Sequence, residues 1–109
     1  MEEKTMCAHC GKCEGQDGIR HKMRSEEEYK TLLNRLNRIE GQIRGIRAMV
    51  EDNRYCTDIL TQSAAVSAAI EAFNRELLDS HIRTCVAENL RAGNDDVVEE
   101  LLHTLHKLI

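Results

Sequence analysis

The stretch YCTDILTQSAAVSAAIEAFNRELLDSHIRTC, Tyr55 to Cys85, decides the fold. The chain has no proline, and no glycine falls between Gly45 and Gly93. The interval is rich in Ala and Leu, which enter helices at little cost. Its apolar set is Ile59, Leu60, Val66, Ile70, Phe73, Leu77, Leu78, Ile82 and Val86. Together these predict one long helix over about residues 55–91. His81 and Cys85 are four apart, so the pattern places an imidazole and a thiol side by side on one helical face. Cys56 lies 29 residues before Cys85, roughly 40 Å away along a straight helix. Cys56, His81 and Cys85 can then share a ligand only if a second chain runs antiparallel and brings its own Cys56 to the His/Cys end. The spacing predicts a dimer with two symmetry-related sites between subunits.

Upstream, Ser25-Glu26-Glu27-Glu28 reads as a helix start, with a Ser cap, a Glu three residues later and acids over the first turn. Leu32, Leu33, Leu36, Ile39, Ile43, Ile46 and Val50 recur at three- and four-residue spacing, which predicts an amphipathic helix to about Glu51. Arg35, Arg38 and Gln42 follow the same spacing on another face, with Arg44 and Arg47 nearby. Gly41 and Gly45 would permit close backbone approach. Asp52-Asn53-Arg54 breaks the pattern as a turn. Downstream, Ala92-Gly93-Asn94 ends the long helix with Gly93 just past its end. A third helix follows over about Asp95–Lys107, carrying Val97, Val98, Leu101, Leu102, Leu105 and Leu108. The expected fold is all-α: a three-helix protomer, paired antiparallel into a helical bundle. Residues 1–24, with three of the six glycines and no periodic apolar pattern, read as a Cys-rich tail. Residues 25–109 read as the helical domain.

At 109 residues the chain suffices for one small domain. Aromatics make up only 3%, so the core must be aliphatic, and three thin helices bury too little alone, which favours oligomerisation. No apolar run approaches the roughly 18 residues that span a membrane, and the Met-Glu-Glu-Lys start lacks the features of a secretory signal. The five cysteines are an odd number and read as thiols or ligands in a reducing cytoplasm rather than as a disulfide framework. Net charge is −4, yet it is unevenly spread. From Tyr29 to Arg47 five basic residues stand against Glu40 alone, while the rest holds ten basic and eighteen acidic residues. One helix therefore carries a positive stripe on an acidic molecule, which is either a solvated face or a phosphate-binding surface.

Two thiolates and one imidazole form a soft, three-coordinate set that suits Cu(I). Zn(II) would want a fourth ligand, and Ni(II) more ligands in a planar or octahedral array. A buried Cys with a His four residues away also occurs in helical cores that hold no metal. In the tail, Cys7-Ala-His-Cys10-Gly-Lys-Cys13 repeats a CxxC spacing, with His9 as a possible fourth donor for an additional metal. No nucleophile triad, oxyanion loop or phosphate-cradling glycine loop is present, so the chain does not read as an enzyme. His103 and His106 read as surface residues.

Leu33-Asn-Arg-Leu-Asn-Arg-Ile-Glu-Gly-Gln-Ile-Arg-Gly-Ile, then Arg54-Tyr-Cys-Thr-Asp-Ile-Leu, then His81-x3-Cys85, resemble the copper-sensing operon repressor family (CsoR/RcnR). The resemblance covers about residues 26–106. It implies a cytoplasmic, all-helical transcriptional repressor, a homotetramer built as a dimer of antiparallel dimers, that binds double-stranded operator DNA without a standard DNA-binding motif. It implies that Cys56 of one subunit, with His81 and Cys85 of its partner, binds Cu(I). It also implies that Tyr55 and Glu100 link this site to the rest of the bundle, and that Arg35, Arg38, Gln42 and Arg75 face DNA. The charge stripe adds Arg44. Ni(II) or persulfide as the signal stays open, since branches of the family differ at the ligand positions and His21 precedes Cys56. A cytosolic metal buffer and a thiol redox sensor are the readings outside repression by metal.

Overall fold

The computed structural model describes residues 19–108; Cys7, His9, Cys10 and Cys13 lie outside the described residues. Every regular element there is helical: α1, Glu26–Glu51; α2, Cys56–His81, continued by a π-helical turn, Ile82–Val86, and an α-helical stretch, Ala87–Arg91; and α3, Asp96–Leu108. Ser25 caps α1 as its sequence demands, its Oγ accepting the Glu28 N–H at 3.1 Å. Two helix ends close by the same device. After α1, Asn53 takes φ 55°, with Asn53 N–H donating to the Val50 carbonyl and Arg54 N–H to the Met49 carbonyl, both at 3.0 Å. After Arg91, Gly93 takes φ 89°, with Gly93 N–H donating to the Leu90 carbonyl at 3.1 Å and Asn94 N–H to the Asn89 carbonyl at 2.7 Å. Each left-handed residue turns the chain back so that the last carbonyls find donors.

The described residues fall into two compact units. One is Ser25–Leu77; the other joins residues 19–24 to residues 78–108. In the first, Arg35 of α1 meets Glu76 of α2 at 3.8 Å. These residues lie at comparable distances on either side of the 52–55 turn, so α1 and α2 form an antiparallel hairpin. Its buried apolar residues are Leu32, Ile39 and Val66. The covered seam of α1 reads Leu32, Arg35, Ile39, Gln42, Ile46, Met49, in alternating three- and four-residue steps. Tyr29, Leu33, Leu36, Ile43 and Val50 form a second apolar stripe that stays exposed. The single amphipathic face expected of this helix is thus two seams, a covered one interrupted by Arg35 and Gln42 and an open one interrupted by Glu40 and Arg47. Among the described residues no backbone uses the close approach that Gly41 and Gly45 would permit. A Cβ at Gly41 would meet only the Arg44 guanidinium at 4.0 Å, and one at Gly45 would meet nothing within 4 Å.

In the second unit the expected unbroken α-helix is corrected. The Ala87 N–H reaches back five residues to the Ile82 carbonyl, so one turn holds an extra residue. Beyond Val86 the helical face is therefore displaced by about a quarter turn from where a continuous α-helix would carry it. The displaced register buries Cys85, Val86 and Asn89 together.

Candidate metal centre and nucleic-acid interface

Cys56 is the first residue of α2 and His81 its last, so the structure keeps two of the three expected donors at opposite ends of one 26-residue helix. Cys56 is exposed and carries a free thiol. Tyr55 beside it is 73% exposed. His81 is half-buried and Cys85, four residues on, is buried. The π-turn runs between them and through Cys85. Cys85 is disulfide-bonded in this structure, against the expectation that the cysteines stand as thiols. Only its reduced form is a thiolate donor.

A cavity of about 330 Å³ opens beside His81, lined by Arg20, His21, Lys22, Arg24, Val97 and Glu100. Glu100 pairs with Arg20, and Lys22 Nζ donates to Ser80 Oγ at 3.2 Å. His81 titrates below its ordinary value. Burial is the main cause, and the positive field of Lys22, then of Arg20 and Arg24, adds to it while Glu100 opposes. The imidazole is thus held neutral near pH 7, the form in which a ring nitrogen can ligate a metal. Glu100, expected as a link between site and bundle, lies in this cavity, while Tyr55 belongs to the other unit. Among the described residues no three Cys, His, Asp or Glu side chains converge on one point.

The run Arg20-His21-Lys22-Met-Arg24 supplies the cations of this cavity, and its cluster of basic residues is the one signal of it in the sequence. His103 and His106 are exposed on α3, as expected.

The stripe of α1 divides. Arg38 and Arg44 are exposed, as is Arg75 on α2. Arg35 and Gln42 lie in the covered seam. Arg35 Nε and Gln42 Oε1 are enclosed and find no hydrogen-bond partner among the described residues, although the Arg35 guanidinium also faces Glu76 at 3.8 Å. Both residues of that ion pair are more than a third exposed, so it contributes little to stability. Arg47 is engaged with Glu51 at 3.5 Å.

Residues 28–107 match the family of metal-sensitive transcriptional repressors. The copper-sensing transcriptional repressor CsoR of Bacillus subtilis is 44% identical over 90 residues, 82% of this chain and 87% of that protein. The crystal structure of the copper-sensing repressor CsoR with Cu(I) from Geobacillus thermodenitrificans superposes with a TM-score of 0.77 at 42% identity, covering 81% of this chain and 93% of that one. The nickel-responsive regulator InrS gives a TM-score of 0.66 at 38% identity, covering 82% and 98%. A helical hairpin, a His/Cys pair at the far end of its long helix and a match over most of the chain agree: this protein belongs to the metal-sensitive transcriptional repressor family.

Proposed function

We propose that the protein is a Cu(I)-responsive transcriptional repressor that binds operator DNA in its metal-free, reduced form and leaves it on binding copper. The observation that carries this reading is the soft donor set Cys56, His81 and Cys85, in which His81 is held neutral by burial and neighbouring cations. Two thiolates and a neutral imidazole fit Cu(I) by donor chemistry. Cys56 and His81 stand at opposite ends of α2, so one site needs Cys56 of one subunit with His81 and Cys85 of another. The exposed stripe Tyr29, Leu33, Leu36, Ile43 and Val50, with Leu60 and Ile70 on α2, supplies apolar surface for such an antiparallel dimer and its assembly to a tetramer. Residues 25–109 carry sensing and DNA binding, and the Cys7, His9, Cys10 and Cys13 cluster of residues 1–24 takes additional metal.

Arg38, Arg44 and Arg75 contact phosphates, with Arg35 and Gln42 joining when the seam of α1 opens. Tyr55 and Glu100 couple the donors to the bundle. Copper joins ends of neighbouring long helices and favours the packing that binds DNA less well, so DNA must weaken copper binding by the same factor. His81 carries the coupling through its non-ligating nitrogen. His81→Ala should keep operator binding and much of the copper affinity but lose release. Normal Cu(I)-driven release of that variant, measured by fluorescence anisotropy, would overturn the coupling role.

A second reading, Ni(II) as the signal, is favoured by His21 lining the same cavity as His81. The deciding experiment is release of an operator fragment from the reduced protein, titrated in parallel with Cu(I), Ni(II), Zn(II) and persulfide. Release by Cu(I) alone at stoichiometric levels is expected. Release by Ni(II) that His21→Ala abolishes would transfer the assignment to nickel, and release by persulfide alone would make the chain a thiol sensor.

A further inference from the structure

Asn89 is the one polar side chain buried among the described residues, at 1% exposure. Its Nδ2 donates to the carbonyl of Cys85 at 2.7 Å, and its Oδ1 accepts from Asn94 Nδ2 at 3.3 Å. Its own carbonyl accepts the Asn94 N–H at 2.7 Å. Asparagine is a poor residue for a helix interior, and burying its amide is unfavourable unless both ends are bonded. Here both are, and one partner is the backbone of the buried cysteine itself. On the other side of Cys85, Thr84 Oγ1 donates to the Ser80 carbonyl at 2.7 Å. Two side chains thus supply donors to backbone carbonyls just before the π-turn, at Ser80, and within it, at Cys85, where the α-helical pairing is out of step.

The π-turn sets the angle between residue 81 and residue 85, because an extra residue in the turn rotates one relative to the other. We infer that Asn89 is a positioning residue for copper: by bonding the Cys85 carbonyl it fixes the π-turn and so aims the Cys85 sulfur relative to the His81 ring. The inference rests on the Cys56/His81/Cys85 reading above. It also extends the site to the turn before α3, since Asn94 holds the acceptor end of the Asn89 amide.

The test compares Asn89→Ala with Asn89→Ser in the full-length, reduced chain. Both leave nearly the same space, but a serine hydroxyl can donate to the carbonyl four residues back. Should the alanine variant not fold by circular dichroism, Asn89→Leu replaces it as the donorless member. Three quantities are read: Cu(I) affinity by chelator competition, copper coordination number by X-ray absorption, and metal-free hydrogen-exchange protection of the Ala87 amide. The donorless variant should bind Cu(I) roughly 10- to 100-fold more weakly, lose three-coordinate character and lose Ala87 protection, and the serine variant should recover all three. Equal behaviour of the two variants, or wild-type affinity and coordination in the donorless one, would overturn the positioning role. Cys85→Ala separates this from the underlying reading. If that variant binds copper as tightly as wild type, the metal site itself is misassigned; if it loses copper while the Asn89 variants do not, only the role of Asn89 fails.

Discussion

At the scale of single residues, His81 shows how position sets chemistry. Burial and the Lys22, Arg20 and Arg24 charges favour its neutral form, with Glu100 opposing. An unfolded imidazole titrates near the ordinary value of about 6.5. Between that value and the lower folded one, the unfolded chain binds more protons than the folded chain. Stability therefore rises with pH through this window and is lost as pH falls from 6.5 through the folded value. The imidazole resonances of His81 should titrate with a midpoint below 6.5 by NMR. Thermal melts should fall more steeply with acid below pH 6.5 in wild type than in His81→Gln. A midpoint at or above 6.5 would contradict the desolvated, cation-flanked environment. The spacing of His81 and Cys85 was legible in the sequence, whereas the neutrality of the ring was not, because Lys22 and Arg20 come to it from some sixty residues away.

At the scale of elements, helix starts and stops were the most legible features, because caps are local chemistry. Ser25, Glu28 and Gly93 act within a few residues of where they stand in sequence. Two stability predictions follow from them. Ser25→Ala removes the acceptor for the Glu28 N–H and should cost about 1 kcal/mol by urea denaturation. Gly93→Ala meets no steric obstacle from neighbouring atoms, but φ of 89° makes it unfavourable by roughly 1–2 kcal/mol. A neutral Gly93→Ala would mean that this turn does not hold its left-handed conformation in solution. The π-turn was not legible. Ile82-Arg-Thr-Cys-Val86 is rich in β-branched residues, which weakens helix propensity without announcing an extra residue in the turn; the bond from Asn89 to the Cys85 carbonyl and the burial of Cys85 and Val86 appear only in the folded chain.

For the molecule as a whole, the proposed ligand set, divided between the two ends of α2, and the exposed stripe of α1 are tested together by one pair of substitutions. Leu36→Glu with Ile43→Glu, both at positions open in the single chain, should leave the helix content unchanged. The pair should shift sedimentation velocity towards the monomer and abolish tight Cu(I) binding, since Cys56 would lose its partner subunit. Unchanged assembly in this variant would place the interface elsewhere. For DNA, Arg38→Ala with Arg44→Ala removes two exposed cations of α1. Operator affinity should weaken, and the slope of log K against log salt should become shallower by about 2 for each subunit in contact with DNA. An unchanged slope would leave the stripe a solvated face.

Helix number, helix ends, the His/Cys pair and the reach that separates Cys56 from it were all determined by the sequence, because each depends on residue spacing and the rise of a helix. Only the tertiary structure decided that α1 carries two seams, that Arg35 and Gln42 turn into the covered one, and that a basic cavity surrounds His81. It alone decided that a buried Asn89 grips the backbone of Cys85. Those depend on which distant residues meet, and periodicity along the chain marks a face without naming what will cover it.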